Sequence, residues 1–275
     1  MNALFADVLF YSTVLVYVVA AGLFGLHLSG SDRVPTAARL APRVVLVGVL
    51  LHAAHIVVSS LVLKVCPVEG MHFAMSVVSM FAGVAYLALR ARYRIDVVGA
   101  FVTPVALTFL IGSRWVAVNA GEPSARVRGA ILPLHVTANL VGDALFMLAC
   151  GAAIAYLVQE QRLKKKDLAG IFQRLPPLDA LDKAEHRFLL LGFPLLTLGI
   201  LTGTVWARKV EVGSPADTAR SILGYGTWLL FAGVLFLRAV AGWRGRRAAY
   251  GTIAGFALAV VVLAFYLWRS AGGEA

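Results

Sequence analysis

Eight apolar runs divide this chain, near residues 5–27, 42–63, 71–90, 97–113, 130–158, 187–207, 222–241 and 250–268. A bilayer core about 30 Å thick takes about 20 residues of helix to cross. Lipid offers the backbone no hydrogen-bond partners, so continuous apolar runs of this length fold as helices rather than barrel strands. The fourth run is the weakest, being short and carrying Gly99 and Pro104. Composition agrees. The chain is 60% hydrophobic and 14% charged, with mean hydropathy +0.83, where a soluble domain carries about 25% charged residues. The expected fold class is all-α: a polytopic membrane helix bundle with about eight transmembrane helices, forming a single domain over 1–275. The linkers are mostly too short to fold independently. The first run begins almost at Met1, with no basic segment before it and no small-residue cleavage site. It therefore reads as a retained helix rather than a secretory signal.

Lys and Arg in short loops set orientation. With the N-terminus outside, 17 of the 25 basic residues fall on the inside, among them Arg39, Arg43, Arg90, Lys164, Lys165, Lys166, Lys183, Arg244, Arg246 and Arg247. The bias places both termini outside a bacterial-type inner (cytoplasmic) membrane. The net charge of +11 then lies mainly at the inner leaflet, where topology and attraction to anionic membrane lipid account for it; nothing in the pattern points to nucleic acid. Cys66 falls in an outer loop. Cys150 lies about 22 Å of helix rise beyond His135, toward the inner half. The two cysteines are read as bystanders, with no disulfide between them and no metal-site spacing.

Few residues are left to carry chemistry. His27 and His186 lie near inner membrane edges and read as interfacial; His72 and His135 lie at outer edges of their helices. His52 and His55, in "VGVLLHAAHIVVSS", sit inside the second run. Their spacing puts them on neighbouring parts of one helix face. An ionisable residue within a span needs a partner or a cavity, and neutral imidazole is also an iron ligand. The alternative for this pair is hydrogen bonding to a neighbouring helix. Gly199 and Gly203 form a GxxxG element that lets helix backbones approach closely, and a flat macrocycle is the other possible occupant of such a surface. Trp115, Trp206 and Trp228 fall near the outer interface. There an aromatic belt explains them, and a stacking role on a planar ligand is the alternative.

The stretches "HVTANLVGDALFMLACGAAIAYLVQEQRLKKK", "RLPPLDALDKAEHRFLLLGFPLLTLGILTGTVWA" and "GWRGRRAAYGTIAGF" resemble the membrane cytochrome c assembly family. That family includes CcsA-type haem lyase subunits, CcmC-type haem handlers and HemX-like proteins. "LLHAAHIVVSSLVLKVCPVEGMHFAMSVVSM" and "VVGAFVTPVAL" fit its HemX/CcsA branch, closest to the HemX-like side. The resemblance covers about 40–258. It implies haem b as cofactor, with His135 matching the first outer histidine and His52, beside His55, matching the histidine of the second helix. These two are the expected haem-iron ligands. Trp206, Trp115 and Trp228 would pack on the macrocycle. Arg208 and Arg220, with Lys209, would pair with propionates, or else simply solvate their loop.

The family's outer tryptophan-rich loop has eroded here to "KVEVGSPADTARSILGYGTW". The histidine expected late in the seventh helix is replaced by Phe236 or Leu237, and the second outer histidine is absent. The expected function is haem presentation near the outer membrane face. No residue is assigned as catalytic, and the chain would be an accessory to haem ligation rather than an enzyme on its own. Partners implied are haem and a cytochrome c maturation protein or apocytochrome c. A second reading is a HemX-like regulator or scaffold without haem chemistry, docking a tetrapyrrole-synthesis enzyme on the inner loop 159–186. A small transporter would need interrupted helices with facing charges, which the sequence does not offer.

Overall fold

The computed structural model describes residues 3–28, 36–63, 71–93, 96–115, 131–166, 176–210 and 215–271. Among them the regular elements are eight α-helices: α1 (Ala3–Leu28), α2 (Ala37–Leu63), α3 (Met71–Tyr93), α4 (Asp96–Trp115), α5 (Ile131–Lys164), α6 (Leu178–Val210), α7 (Pro215–Val240) and α8 (Arg246–Ala271). Six are long and apolar enough to cross a membrane. The apolar parts of α3 and α4 are shorter, at His72–Ala88 and Val98–Arg114. The chain is thus an all-helical, multi-pass membrane bundle.

Two boundaries differ from those expected of hydropathy. The dozen-residue loop after Lys209 is mostly helix, because α6 continues to Val210 and α7 starts at Pro215. Proline is at home in a first helical turn, where its missing N–H costs nothing. The loop expected over 159–186 is also shortened from both ends, since α5 runs to Lys164 and α6 begins at Leu178. The polar first turns of α6 escape a hydropathy reading because their partners lie on other helices.

Helices α1–α4 pack as one group and α5–α8 as another, joined where α3 and α4 meet α5 and where α3 meets α8. Helix α5 is the central element: 67% of its apolar span is buried, against 22–44% in the other five long spans. Its Phe146 is wholly buried and stacks on Phe231 of α7 with centroids 4.0 Å apart. By contrast α1 turns Leu4, Phe5, Val8, Leu15 and Val18 outward, as a lipid-facing helix does.

Close approach is bought with small residues. At Gly142 a Cβ would lie 3.5 Å from the Gly192 carbonyl oxygen, and at Gly192 it would lie 2.8 Å from Phe146 Cε1. These contacts set α5 and α6 antiparallel. Helix α7 ends at Gly242, whose φ of 64° takes the left-handed conformation, and the Trp243 N–H returns to the Leu237 carbonyl at 3.2 Å. This is a glycine-terminated helix end.

Candidate functional site

His135 lies in the second turn of α5, half-buried against α6. Its Nδ1 stands 2.6 Å from the Gly199 carbonyl oxygen. A carbonyl only accepts, so Nδ1 carries the proton and donates. In the neutral ring the lone pair then belongs to Nε2. Orientation of one imidazole nitrogen by a backbone carbonyl is the usual support for a metal-binding histidine. The two GxxxG glycines make this possible. A Cβ on Gly203 would lie 2.5 Å from His135 Cε1, and one on Gly199 would collide with the Asn139 side chain. The small-residue face of α6 is therefore filled by α5 side chains. Asn139, one turn further along α5, donates through Nδ2 to the His135 backbone carbonyl at 3.0 Å, with the same nitrogen 3.3 Å from Nδ1 and 3.4 Å from Nε2.

The intramembrane pair sits in the α1–α4 group. His52 is fully buried, with Nε2 2.8 Å from the Ser76 hydroxyl of α3 and Nδ1 3.3 Å from the Tyr17 hydroxyl of α1. His55 Nδ1 meets the Ala6 carbonyl of α1 at 3.1 Å and the Ser59 hydroxyl at 3.3 Å. The two rings are 6.4 Å apart. Each thus links α2 to its neighbours. His72 does the same for α3, donating to the Ser113 carbonyl of α4 at 2.5 Å. The structure does not bring His52 or His55 together with His135, which lies in the other helix group.

Trp228 of α7 donates from Nε1 to the Thr197 hydroxyl at 2.9 Å and stacks on Phe193 at 5.5 Å. Residues 193 and 197 lie about 120° round α6 from the flank that carries 199 and 203, at 3.6 residues per turn. Trp228 and His135 are therefore on different flanks of α6. Trp115, Trp206, Arg208 and Arg220 belong to α4, α6 and α7, but their side chains lie outside the described residues, as does Cys66. Cys150 is a buried free cysteine.

The sequence profile of the family described as "Cytochrome C assembly protein" matches residues 65–273. This chain belongs to that family. Relatives include proteins named "Cytochrome c biogenesis protein CcsA". The one from Gloeothece citriformis is 41% identical over 95 residues, covering 34% of this chain and 28% of the relative. That from Rippkaea orientalis is 40% identical over 118 residues, covering 42% and 33%. That from Guillardia theta is 29% identical over 206 residues, covering 67% of each chain. The match thus spans about a third or less of the first two relatives. His135, Gly199, Gly203 and Trp228 lie within the family-matched residues; α1 and α2, with His52 and His55, precede them.

The family-matched part also holds a buried polar clamp at the opposite, arginine-rich end. The Arg238 guanidinium of α7 donates to the Asp182 carboxylate of α6 at 2.5 Å and to the Asp182 backbone carbonyl at 3.0 Å. The other Asp182 oxygen accepts the Gly245 N–H at 2.7 Å, just before α8. Gly245 has φ 63°, and a Cβ there would strike the Tyr156 hydroxyl. One turn along α6, the fully buried Glu185 accepts from Thr252 of α8 at 2.6 Å. Sequence reasoning matched the Gly-Trp-Arg-Gly run to the family but missed Asp182 as the partner of Gly245 and Glu185 as the partner of Thr252. Their position three residues apart, beside a long apolar run, was the available signal.

Haem fits the donor set. Among the described residues no three His, Cys, Asp or Glu side chains are grouped to hold a metal ion, whereas haem brings its own four nitrogens and asks the protein for one or two axial ligands. An oriented imidazole such as His135 is of the type that could supply one.

Proposed function

We propose that this member of the cytochrome c assembly family handles haem at the outer membrane face, with His135 as the protein's axial ligand to iron. The observation that carries this reading is the 2.6 Å hydrogen bond from His135 Nδ1 to the Gly199 carbonyl, which assigns the lone pair to Nε2 and holds the ring against α6. Bound haem supplies the iron centre and the cargo. The chain's own residues orient the ligand and set how close α5 and α6 approach. The names of the CcsA relatives support a role in cytochrome c biogenesis, with a maturation partner or apocytochrome c as recipient. The outer-face assignment rests on the Lys and Arg bias, because the clamp end carries Lys164, Lys183, Arg244, Arg246 and Arg247 while His135 lies at the other end of α5.

The test is the optical spectrum of detergent-purified protein from haem-replete cells. His135→Ala is expected to lower haem occupancy, and added imidazole to restore part of it by filling the vacated ligand position. His186→Ala, at the clamp end of α6, is the control and should change little. If the wild type carries haem and His135→Ala alters neither its content nor its Soret position, the assignment fails.

A further inference from the structure

The clamp end of α5–α8 buries two acids with one strong base. Asp182 and Glu185 lie one turn apart on α6, and Arg238 of α7 is the only Arg or Lys that is buried among the described residues. Asp182 takes that cation, and its other oxygen holds the Gly245 N–H. Glu185 is fully buried and uses only Oε1, which accepts from Thr252 of α8 at 2.6 Å. Its Oε2 has no hydrogen-bond partner among the described residues, and neither has Nη1 of Arg238. The two side chains act on each other electrostatically, yet the Arg238 ion pair is with Asp182. The groups that act on Glu185 are Asp182 on its own helix, Arg238 of α7, and Cys150 and Tyr156 of α5, while Thr252 brings a hydroxyl from α8. His186, the next residue of α6, is in turn acted on by Arg238 and Asp182.

We propose that Glu185 is a buried proton-binding site, its carboxyl holding a proton at Oε2, and that Arg238 Nη1 turns to that oxygen when the proton leaves. The reason is charge. Two carboxylates beside one guanidinium leave a surplus negative charge away from water, and an ionised group without its own partner is far costlier to bury than a neutral one. A proton is the smallest ligand that removes the surplus. The same count explains why a free carboxyl oxygen and a free guanidinium N–H coexist without pairing: a neutral acid attracts a cation only weakly. Ionisation supplies the attraction. The planar fork of Arg238 can then bridge Asp182 and Glu185, because its two terminal nitrogens point different ways. Asp182 also holds the start of α8 through Gly245, so loss of one proton is felt by α6, α7 and α8 together. This role is independent of haem and of His135.

The experiment records infrared spectra of the full-length, detergent-purified protein at neutral and at alkaline pH, where solvent-exposed carboxyls are already ionised. All variants carry Asp143→Asn, which silences a second carboxyl in the middle of α5. The C=O band of a protonated carboxyl is expected at neutral pH, lost in Glu185→Gln and kept in His186→Gln. In alkaline buffer the band should disappear, and ¹⁵N-arginine labelling should shift a guanidinium band that changes with it; Glu185→Gln should show neither change. Glu185→Gln keeps an acceptor for Thr252 and carries no charge, so it should melt with the Glu185 protein at neutral pH. Identical neutral spectra with and without Glu185, or a carboxyl signal lost in His186→Gln instead, overturn the proton site. So does a glutamine variant that melts much earlier or fails to fold, since a neutral mimic would then have replaced a needed charge. A carboxyl band that persists in alkali, or one that vanishes with no guanidinium change, overturns the part assigned to Arg238.

Discussion

The Asp182 carboxylate meets the Arg238 guanidinium at 2.5 Å while its second oxygen holds the Gly245 N–H at 2.7 Å. One side chain of α6 therefore fixes the end of α7 and the start of α8. Side-chain exposures of 12% and 6% place the pair away from water. Removing one partner of a buried ion pair leaves the other charge uncompensated, at a cost of about 3–5 kcal/mol. Asp182→Ala should lower the thermal midpoint of the detergent-solubilised protein strongly. Asp182→Asn, which keeps an acceptor for Gly245, should be milder. Equal melting of Asp182→Ala and wild type would show that the clamp contributes nothing.

Gly203→Ala should dislodge the His135 ring, because the new Cβ would stand 2.5 Å from Cε1 and 2.8 Å from Nδ1. Helix propensity itself favours alanine by about 1 kcal/mol, so the loss should be seen in the ligand before the fold. Haem occupancy is expected to drop toward that of His135→Ala while circular dichroism stays helical. Full haem occupancy in Gly203→Ala would mean that the ring does not depend on this seat.

His52→Ala strands two hydroxyls, those of Ser76 and Tyr17, inside the α1–α4 group. An unsatisfied buried polar group costs about 1–3 kcal/mol, so the variant should melt earlier than wild type. Its hemin affinity at His135 should be preserved. A loss of bound haem with no loss of stability would instead assign His52 to the iron.

Orientation is checked by reporter fusions. The basic loop residues predict a cytoplasmic reading for a fusion after Gly170 and an external one at the C-terminus. A cytoplasmic C-terminus would move His135 to the inner face and remove the outer-face part of the proposed function.

Hydropathy located all eight helices because a bilayer demands long apolar runs; it ranked the fourth as weakest, whereas the apolar parts of α3 and α4, His72–Ala88 and Val98–Arg114, are equally short. It missed the first turns of α6, where Asp179, Asp182, Lys183 and Glu185 look like a solvated loop. Two of these are buried only because Arg238, Gly245 and Thr252 arrive from α7 and α8. His135 could be singled out by its place at a helix end and by the family motif. Asn139 could not: an asparagine one turn along is unremarked until a glycine on another helix gives it a seat. The spacing of His52 and His55 was visible, but their partners Tyr17, Ser76 and Ala6 lie on α1 and α3 and leave no local trace.

The glycine seat under His135 has a mechanical side. The imidazole is gripped between the Gly199 carbonyl and the bare Cα of Gly203, so it cannot swing about its own side-chain torsions while α5 and α6 stay in contact. Ring rotation and helix separation become one coordinate. Any event that pries the two helices apart at this end would release the imidazole from the Gly199 carbonyl and leave it free to turn. Such an event would change ligand strength without touching the ligand.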